Sequence, residues 1–221
     1  MHTWRKVGCC LVAAAGVSFG ARATDYYLVY NGNDGGNASS LSGAGNSQGW
    51  STTPGGAKAV AGITAGNAYY VYSGQQSGTV RTPASSSYTM ASGASLTLME
   101  GATLNLASKS RNNTVELTTL VLMRDSTLRL DVWDSGCVTT FSGNWVCDEG
   151  SFIVLGGSDD TGRRETLAAT VTGAGVIAVR DSGTQPASNP KDMIITGDLS
   201  GFTGGLAVEA ANFALALEGE K

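Results

Sequence analysis

The chain contains very little histidine, proline or charge. Among its 221 residues there are one histidine, His2, and 4 prolines, and charged side chains make up 14% of the total. Histidine is the usual base of a catalytic triad and a common zinc ligand, so its scarcity argues against most hydrolase chemistry of those kinds. We expect no catalytic residue of these kinds, no metal site and no cofactor.

Residues 1–23 have the pattern of a secretory signal peptide. Arg5 and Lys6 give a basic start, residues 7–19 are uncharged and mostly apolar, and Ala21-Arg22-Ala23 fits a small-residue cleavage site. Without this segment the chain loses His2 and keeps 18 acidic and 11 basic residues, a net charge of −7. We therefore expect an exported protein, extracellular, at the cell surface or periplasmic, that does not bind nucleic acid.

No apolar run of about 18 residues follows residue 23, so we expect no transmembrane segment in the mature chain. Cys9 and Cys10 precede most of the apolar leader, whereas a lipid-modified cysteine follows such a core, so we interpret them as leader residues. The other two cysteines, Cys137 and Cys147, are not spaced as a redox pair. In an oxidising compartment we expect them to form a structural disulfide that stabilises the fold by about 2.5–3 kcal/mol.

A 24-residue repeat is the most informative feature of the sequence. Residues 96–106 (LTLMEGATLNL) align without gaps on residues 120–130 (LVLMRDSTLRL), with six of eleven positions identical. Within each unit a pair of leucines recurs after eight residues. The repeated positions are Leu96, Leu98, Leu104, Leu106, Leu120, Leu122, Leu128 and Leu130. Three steps of eight residues predict a chain that winds around a three-sided prism, with these leucines as its interior ladder.

The same frame can be extended along the chain, one repeat length at a time. The next interior positions that it predicts are Asn144, Val146, Phe152 and Val154. It fails at Asp160, so residues 156–165 are predicted to project from the coil as a loop.

The strand pattern predicts an all-β fold, because helical periodicity is scarce and short alternating runs are frequent. We expect a right-handed parallel β-helix, or β-solenoid, of about five short turns over residues 93–221, after an irregular N-terminal β cap of residues 24–92 with Gly/Ser/Asn-rich loops. No C-terminal cap is evident. Either that edge pairs with another chain, or the sequence is part of a longer solenoid.

Several segments carry a resemblance to a known family. They are Trp50-Ser51, Tyr69-Tyr70-Val71, Arg81-Thr82-Pro83, residues 93–98 (GASLTL) and residues 199–208 (LSGFTGGLAV). In these the chain resembles secreted bacterial parallel β-helix proteins related to autotransporter passengers, in particular those with the autotransporter-associated β-strand repeat. The resemblance implies a surface or extracellular protein, often an adhesin, and some β-helix relatives act on polysaccharides.

One candidate site is the charge cluster in the predicted loop, formed by Asp159, Asp160, Arg163, Arg164 and Glu165. In outline it resembles a β-helix polysaccharide lyase, in which carboxylates hold calcium and a basic side chain removes a proton. A solvated loop that keeps its charges in water is the simpler interpretation.

Aromatic residues form the other candidate site. Trp133 and Trp145 flank Cys137 in a segment with three aspartates, where an exposed indole can stack on a sugar ring. Burial over the cysteines is the interpretation that we favour for such large side chains. For the same reason we interpret six tyrosines as core residues of the cap. They are Tyr26, Tyr27, Tyr30, Tyr69, Tyr70 and Tyr72.

The leading hypothesis is a non-catalytic, exported β-solenoid that acts as a scaffold or adhesin and presents loops to a glycan or a surface protein. The alternative is a carbohydrate-active β-helix enzyme of the lyase type, or an inactive fragment of one. Release of products from a polysaccharide would distinguish the two.

Overall fold

A computed structural model describes residues 23–29, 41, 49–73, 78–81, 87–108, 112–132, 137–156, 164–180, 191–209 and 213–217. Within these ranges every regular element is a β-strand. The strands are β1 (Asp25–Val29), β2 (Gly49–Ser51), β3 (Ala68–Val71), β4 (Gly78–Arg81), β5 (Tyr88–Thr89), β6 (Ser95–Leu98), β7 (Thr103–Ser108), β8 (Asn113–Leu122), β9 (Thr127–Val132), β10 (Val138–Cys147), β11 (Phe152–Leu155), β12 (Arg164–Leu167), β13 (Thr170–Gly173), β14 (Val176–Val179), β15 (Lys191–Ile195), β16 (Gly205–Val208) and β17 (Phe213–Leu217).

The strands stack in parallel on three faces of a solenoid. Face A contains β5, the first halves of β8 and β10, then β12, β15 and β17. Face B contains β1, β3, β6, the second halves of β8 and β10, then β13. Face C contains β4, β7, β9, β11, β14 and β16. From β3 onward the described strands visit the faces in the constant order B, C, A, which confirms the predicted all-β parallel solenoid.

From β6 onward the solenoid has about four complete turns, compared with the five that the sequence predicts. Each of these four turns places a strand on every face. The next turn is partial, because face B then holds only an isolated bridge between Gly173 and Phe202. At the other end, β3, β4 and β5 precede residue 93 and already pair with the strands of the repeat region.

The interior consists of apolar columns that run along the solenoid. On face B, Leu96 pairs with Leu120 and Leu98 with Leu122, and all four leucines are fully buried. On face C, Leu104 pairs with Leu128 and Leu106 with Leu130 in the same way. Fully burying one such side chain contributes about 1.5–3 kcal/mol, so the columns provide the main favourable free energy of folding.

The register changes beyond these leucines. Trp145 and Cys147 lie over Leu120 and Leu122, whereas the extended frame predicts Asn144 and Val146 there. Similarly, Ile153 and Leu155 stack on face C over Leu128 and Leu130, at the positions where the frame predicts Phe152 and Val154. Because successive side chains of a strand point to opposite sides, a slip of one position exchanges the interior and exterior sets.

The slip has two identifiable sources. On face A, Thr139 of β10 pairs with Asn113 of β8, two positions later than the repeat assumes, so the connection before β10 is longer than in the repeat by that amount. A β-bulge at Thr118 then reduces this offset from two positions to one, because Gly143 pairs with Leu117 and Asn144 pairs with Thr119. The net slip of one position persists into face B.

A glycine allows the chain to pass from face A to face B within β10. Gly143 has φ 128°, and a Cβ atom there would collide with the carbonyl oxygen of Leu117. An L-residue side chain fits neither this backbone conformation nor this space.

The predicted disulfide between Cys137 and Cys147 is wrong for this structure, in which both side chains are buried and the two sulfur atoms are not joined. Cys137 directly precedes β10 and Cys147 is its last residue. Ten steps of extended chain at about 3.3 Å each separate them, whereas a disulfide needs Cα atoms within about 7 Å. The corner at Gly143 does not bring the two ends together, because the two halves of β10 lie on different faces.

An antiparallel pair covers the N-terminal end of face B. β2 pairs antiparallel to β1, and β1 pairs in parallel with β3. The indole of Trp50 in β2 is fully buried and meets the ring of Tyr69 edge-on, with centroids 4.9 Å apart. Within the described ranges no helix has the length and apolar character needed to cross a membrane.

Candidate functional site

Trp145 lies in the interior of the solenoid and is 1% exposed. Its indole N–H donates a hydrogen bond of 3.2 Å to the carbonyl oxygen of Leu117, which satisfies the polar atom of an otherwise apolar side chain. The indole has no surface for a ligand, so Trp145 is a core residue and the sugar-stacking interpretation is wrong for it. Trp133 lies outside the described residues.

The structure describes two residues of the predicted charge cluster, Arg164 and Glu165, and their side chains lie on opposite sides of β12. Arg164, the first residue of β12, is exposed on face A, whereas Glu165 points inward and is fully buried. The Glu165 carboxylate accepts a hydrogen bond of 3.1 Å from the backbone N–H of Gly156, at the end of the preceding strand. Asp159, Asp160 and Arg163 lie outside the described residues.

The three faces differ in the charge that they present to solvent. On face A the outward side chains include Glu116 and Arg164. On face C they include Arg129, and Arg180, which forms an ion pair of 2.7 Å with Glu209. Face B alone has no charged outward side chain in its described strands from β3 to β13.

We call these outward positions of face B the uncharged face. Its members are Ala68, Tyr70, Ser95, Thr97, Thr119, Val121, Asn144, Val146, Thr170 and Thr172. Hydroxyl, amide, phenol and aliphatic groups make up almost all of this surface. Such a surface can donate and accept hydrogen bonds and make apolar contacts without removing a charge from water.

A single column of side chains runs through the middle of the uncharged face. Successive strands pair in register through Tyr27, Tyr70, Thr97, Val121, Val146 and Thr172. We call this set the central column. At about 4.8 Å per strand, its five steps span about 24 Å along the solenoid. Val146, near its C-terminal end, is 44% exposed, which is unusual for a valine.

Tyrosines form the N-terminal end of the central column. The rings of Tyr27 and Tyr70 stack with centroids 5.4 Å apart, and Tyr72 meets the ring of Tyr27 edge-on at 6.4 Å. Tyr70 donates a hydrogen bond of 3.5 Å to the carboxylate of Asp25. Burial, followed by the charge of Asp25, raises the pKa of Tyr70, so its phenol stays protonated and neutral.

The interpretation of all six tyrosines as core residues is wrong for three of them. Tyr69 is fully buried, and its hydroxyl accepts a hydrogen bond of 2.8 Å from the backbone N–H of Thr64. Tyr27, Tyr70 and Tyr72 are half-buried and lie on the outside of face B. Tyr26 packs against the core, and Tyr30 lies outside the described residues.

Charged residues border the uncharged face on one side. They occupy the turns that lead from face B to face C, where all are exposed. These residues are Glu100, Arg124, Asp125, Asp148 and Glu149. With four acids and one base, this rim makes the border of the site acidic.

The strict 24-residue frame hides this surface in the sequence. It assigns Asn144 and Val146 to the interior, which interrupts the outward column at β10. In the observed register, the interval between paired residues is 25 between β8 and β10, one more than the repeat length, and it aligns Thr119 and Val121 with Asn144 and Val146. Between β10 and β13 the interval is 26, two more than the repeat length, and it aligns the same two β10 residues with Thr170 and Thr172. In the sequence, the uncharged face therefore appears only as pairs of uncharged outward residues, two positions apart, that recur at slightly unequal intervals.

Comparison of the chain with protein-family models, with curated proteins and with solved structures finds no match. The relationship to autotransporter passengers therefore remains a prediction from the resembling segments.

Proposed function

We propose that the protein is a non-catalytic β-solenoid that acts outside the cell as a scaffold or adhesin and binds a glycan through the uncharged face. The observation that supports the proposal is the difference between the faces. Faces A and C carry charged side chains, whereas the described outward positions from β3 to β13 on face B carry none. Export is part of the proposal and depends on the leader-like pattern of residues 1–23.

The chemistry of the uncharged face suits a sugar polymer. Sugar rings present hydroxyl groups at their edges and C–H groups on their faces, and the hydroxyl and aliphatic side chains of face B match both. Docking against an uncharged surface also avoids the large cost of desolvating an unpaired ion. The fold supports a rigid surface, since β3, β6 and the face B halves of β8 and β10 are each hydrogen-bonded to a strand on both sides.

Affinity electrophoresis through gels that contain neutral or acidic polysaccharides tests this proposal. The variant is Val146→Asp, which places a charge in the central column at an exposed position. The matched control is Thr140→Asp, on the same strand but facing outward on face A. Circular dichroism and thermal melting establish that both variants fold.

The expected result is that at least one polysaccharide retards the wild-type protein and Thr140→Asp, and that Val146→Asp runs unretarded. Equal retardation of all three proteins would overturn the proposed site, and absence of retardation in every gel would overturn glycan binding. New reducing ends or unsaturated products in the same gels would overturn the non-catalytic role and favour the enzyme hypothesis.

A further inference from the structure

We infer that the glycan is a neutral, extended β-1,4-linked polysaccharide whose chain runs along the central column, parallel to the solenoid axis. This inference rests on the proposed function and specifies the ligand class and orientation at the same site. Charge, spacing and the sequence of chemical groups along the column each support it.

The charge of the site favours a neutral ligand. A uronate polymer would bring one carboxylate per sugar to a column that has no cation, and four of the five described rim residues are acidic. Like charges repel, and a carboxylate buried without a partner is costly. Among the described residues, a cationic glycan would meet carboxylates at the rim and at Asp25 beside Tyr70 but none within the column from Tyr70 to Thr172, so most of its charges would be desolvated without a partner.

The spacing of the column favours an extended chain. Each strand contributes one outward side chain to the column, and successive strands lie about 4.8 Å apart. A sugar ring in an extended β-1,4-linked chain advances by nearly the same length. Over a column of this length, each ring can therefore lie close to one strand of the solenoid. A coiled or kinked α-linked chain follows no such straight line.

The order of groups along the column favours a ribbon with apolar faces and polar edges. The aliphatic side chains of Val121 and Val146 lie in the centre, with the hydroxyl groups of Thr97 and Thr172 on either side. A second row of polar side chains lies beside them, in the same strands, and provides hydrogen bonds to one edge of the ribbon. This row contains Ser95, Thr119, Asn144 and Thr170.

Binding of oligosaccharides of one composition and increasing length, measured by calorimetry on the purified protein, tests the ligand class. The affinity for β-1,4-linked glucose oligomers should rise with length until the chain spans the six strands of the column, which takes about six sugars at one sugar per strand. We expect cellohexaose to bind about tenfold tighter or more than cellobiose. Isomaltohexaose, an α-linked neutral oligomer, and hexagalacturonate, an acidic one, are expected to bind at least tenfold more weakly than cellohexaose.

Two variants test the orientation. Thr97→Asp and Val146→Asp lie on β6 and β10, two steps of the column apart, and Thr140→Asp on face A is the matched control. A chain parallel to the axis contacts both positions, so we expect each of the two variants to weaken cellohexaose binding about tenfold or more, and the control to leave it unchanged. A chain that crosses the strands would respond to only one of them.

The outcomes separate the inference from the proposed function. If another glycan binds as tightly as cellohexaose and Val146→Asp abolishes that binding, the ligand class is overturned and the uncharged face remains the glycan site. Length-independent binding, or sensitivity to only one variant, overturns the orientation in the same way. If no glycan binds, the proposed function fails and the inference fails with it.

Discussion

The hydroxyl of Thr139 donates a hydrogen bond of 2.8 Å to the Oδ1 atom of Asn113, one turn away inside face A. Both side chains are buried, and Glu165 continues the same inner column on the next strand. In the described part of the chain, the interior of face A therefore contains a short polar column among the apolar ones. Buried polar groups are stable only when hydrogen-bonded, so this contact ties the register of face A to the pairing of two specific residues.

Replacing Thr139 with valine tests that contact. Valine has nearly the same shape as threonine but no hydroxyl, so the buried Oδ1 atom of Asn113 loses the hydrogen bond that it accepts from Thr139. We expect the free energy of unfolding in urea to fall by about 1–3 kcal/mol. Thr140→Val, the outward neighbour on the same strand, is the control and should change it by less than about 0.5 kcal/mol. Equal stability of the two variants would mean that the buried bond contributes nothing.

The interior ladder is tested by charge at adjacent positions of β8. Leu122 is fully buried, and Val121 beside it faces outward. Leu122→Asp would leave an unpaired carboxylate in the apolar core, and we expect a loss of more than about 4 kcal/mol, enough to unfold the domain. Val121→Asp should retain a cooperative melt close to that of the wild type. A folded Leu122→Asp protein with an unchanged melting temperature would contradict the register.

The corner within β10 is tested by Gly143→Ala. The positive φ costs about 1–3 kcal/mol for a residue with a Cβ atom, and the collision with the Leu117 carbonyl adds to it. Gly66→Ala is the matched control, because Gly66 has φ 73° but no atom within 4 Å of the added Cβ. We expect urea unfolding to show a clearly larger loss for Gly143→Ala. A smaller or equal loss would argue against a tight corner at Gly143.

The chemistry of Cys147 provides a prediction about pH. Burial raises the pKa of its thiol from 9.0 to about 12, so the folded chain binds the thiol proton more tightly than the unfolded chain. This stabilising contribution is fully present below pH 9 and is lost as the pH rises from there toward 12. The stability advantage of the wild type over Cys147→Ala should therefore narrow across that range in urea unfolding at a series of pH values.

Thiol labelling provides an independent check on the same residue. The native protein should leave Cys147 unmodified by iodoacetamide near neutral pH, and the urea-unfolded protein should be labelled there without any reductant. Mass spectrometry of peptides prepared without reduction would contradict the structure if it found Cys137 and Cys147 joined.

Much of the fold follows from local pattern. Alternating leucines that recur within and between the repeat units predict parallel stacking, and Leu96 does pair with Leu120 and Leu104 with Leu128. The prediction holds there because the connections in that turn have the lengths that the repeat assumes. It is wrong by one position at Trp145, since a longer connection and the bulge at Thr118 act at a distance from the strand that they displace.

The candidate site is far less accessible to prediction. Sequence reasoning favours the densest charge cluster and the tryptophans as site residues. In the structure Trp145 is buried in the core, and Arg164 is exposed whereas Glu165 beside it points into the interior. The uncharged face has no dense motif, because each strand contributes only two ordinary residues to it.

The order of amino acids alone dictates that the chain forms short strands with one apolar side, because the alternation of side chains has a period of two and is a property of each segment. Which residues of different turns meet depends on the folded chain. Val121, Val146 and Thr172 become neighbours at intervals slightly longer than the repeat, and these intervals depend on bulges and connection lengths. Cys137 and Cys147, near in sequence, are held apart by the extended strand between them, since about 3.3 Å per residue accumulates over its length.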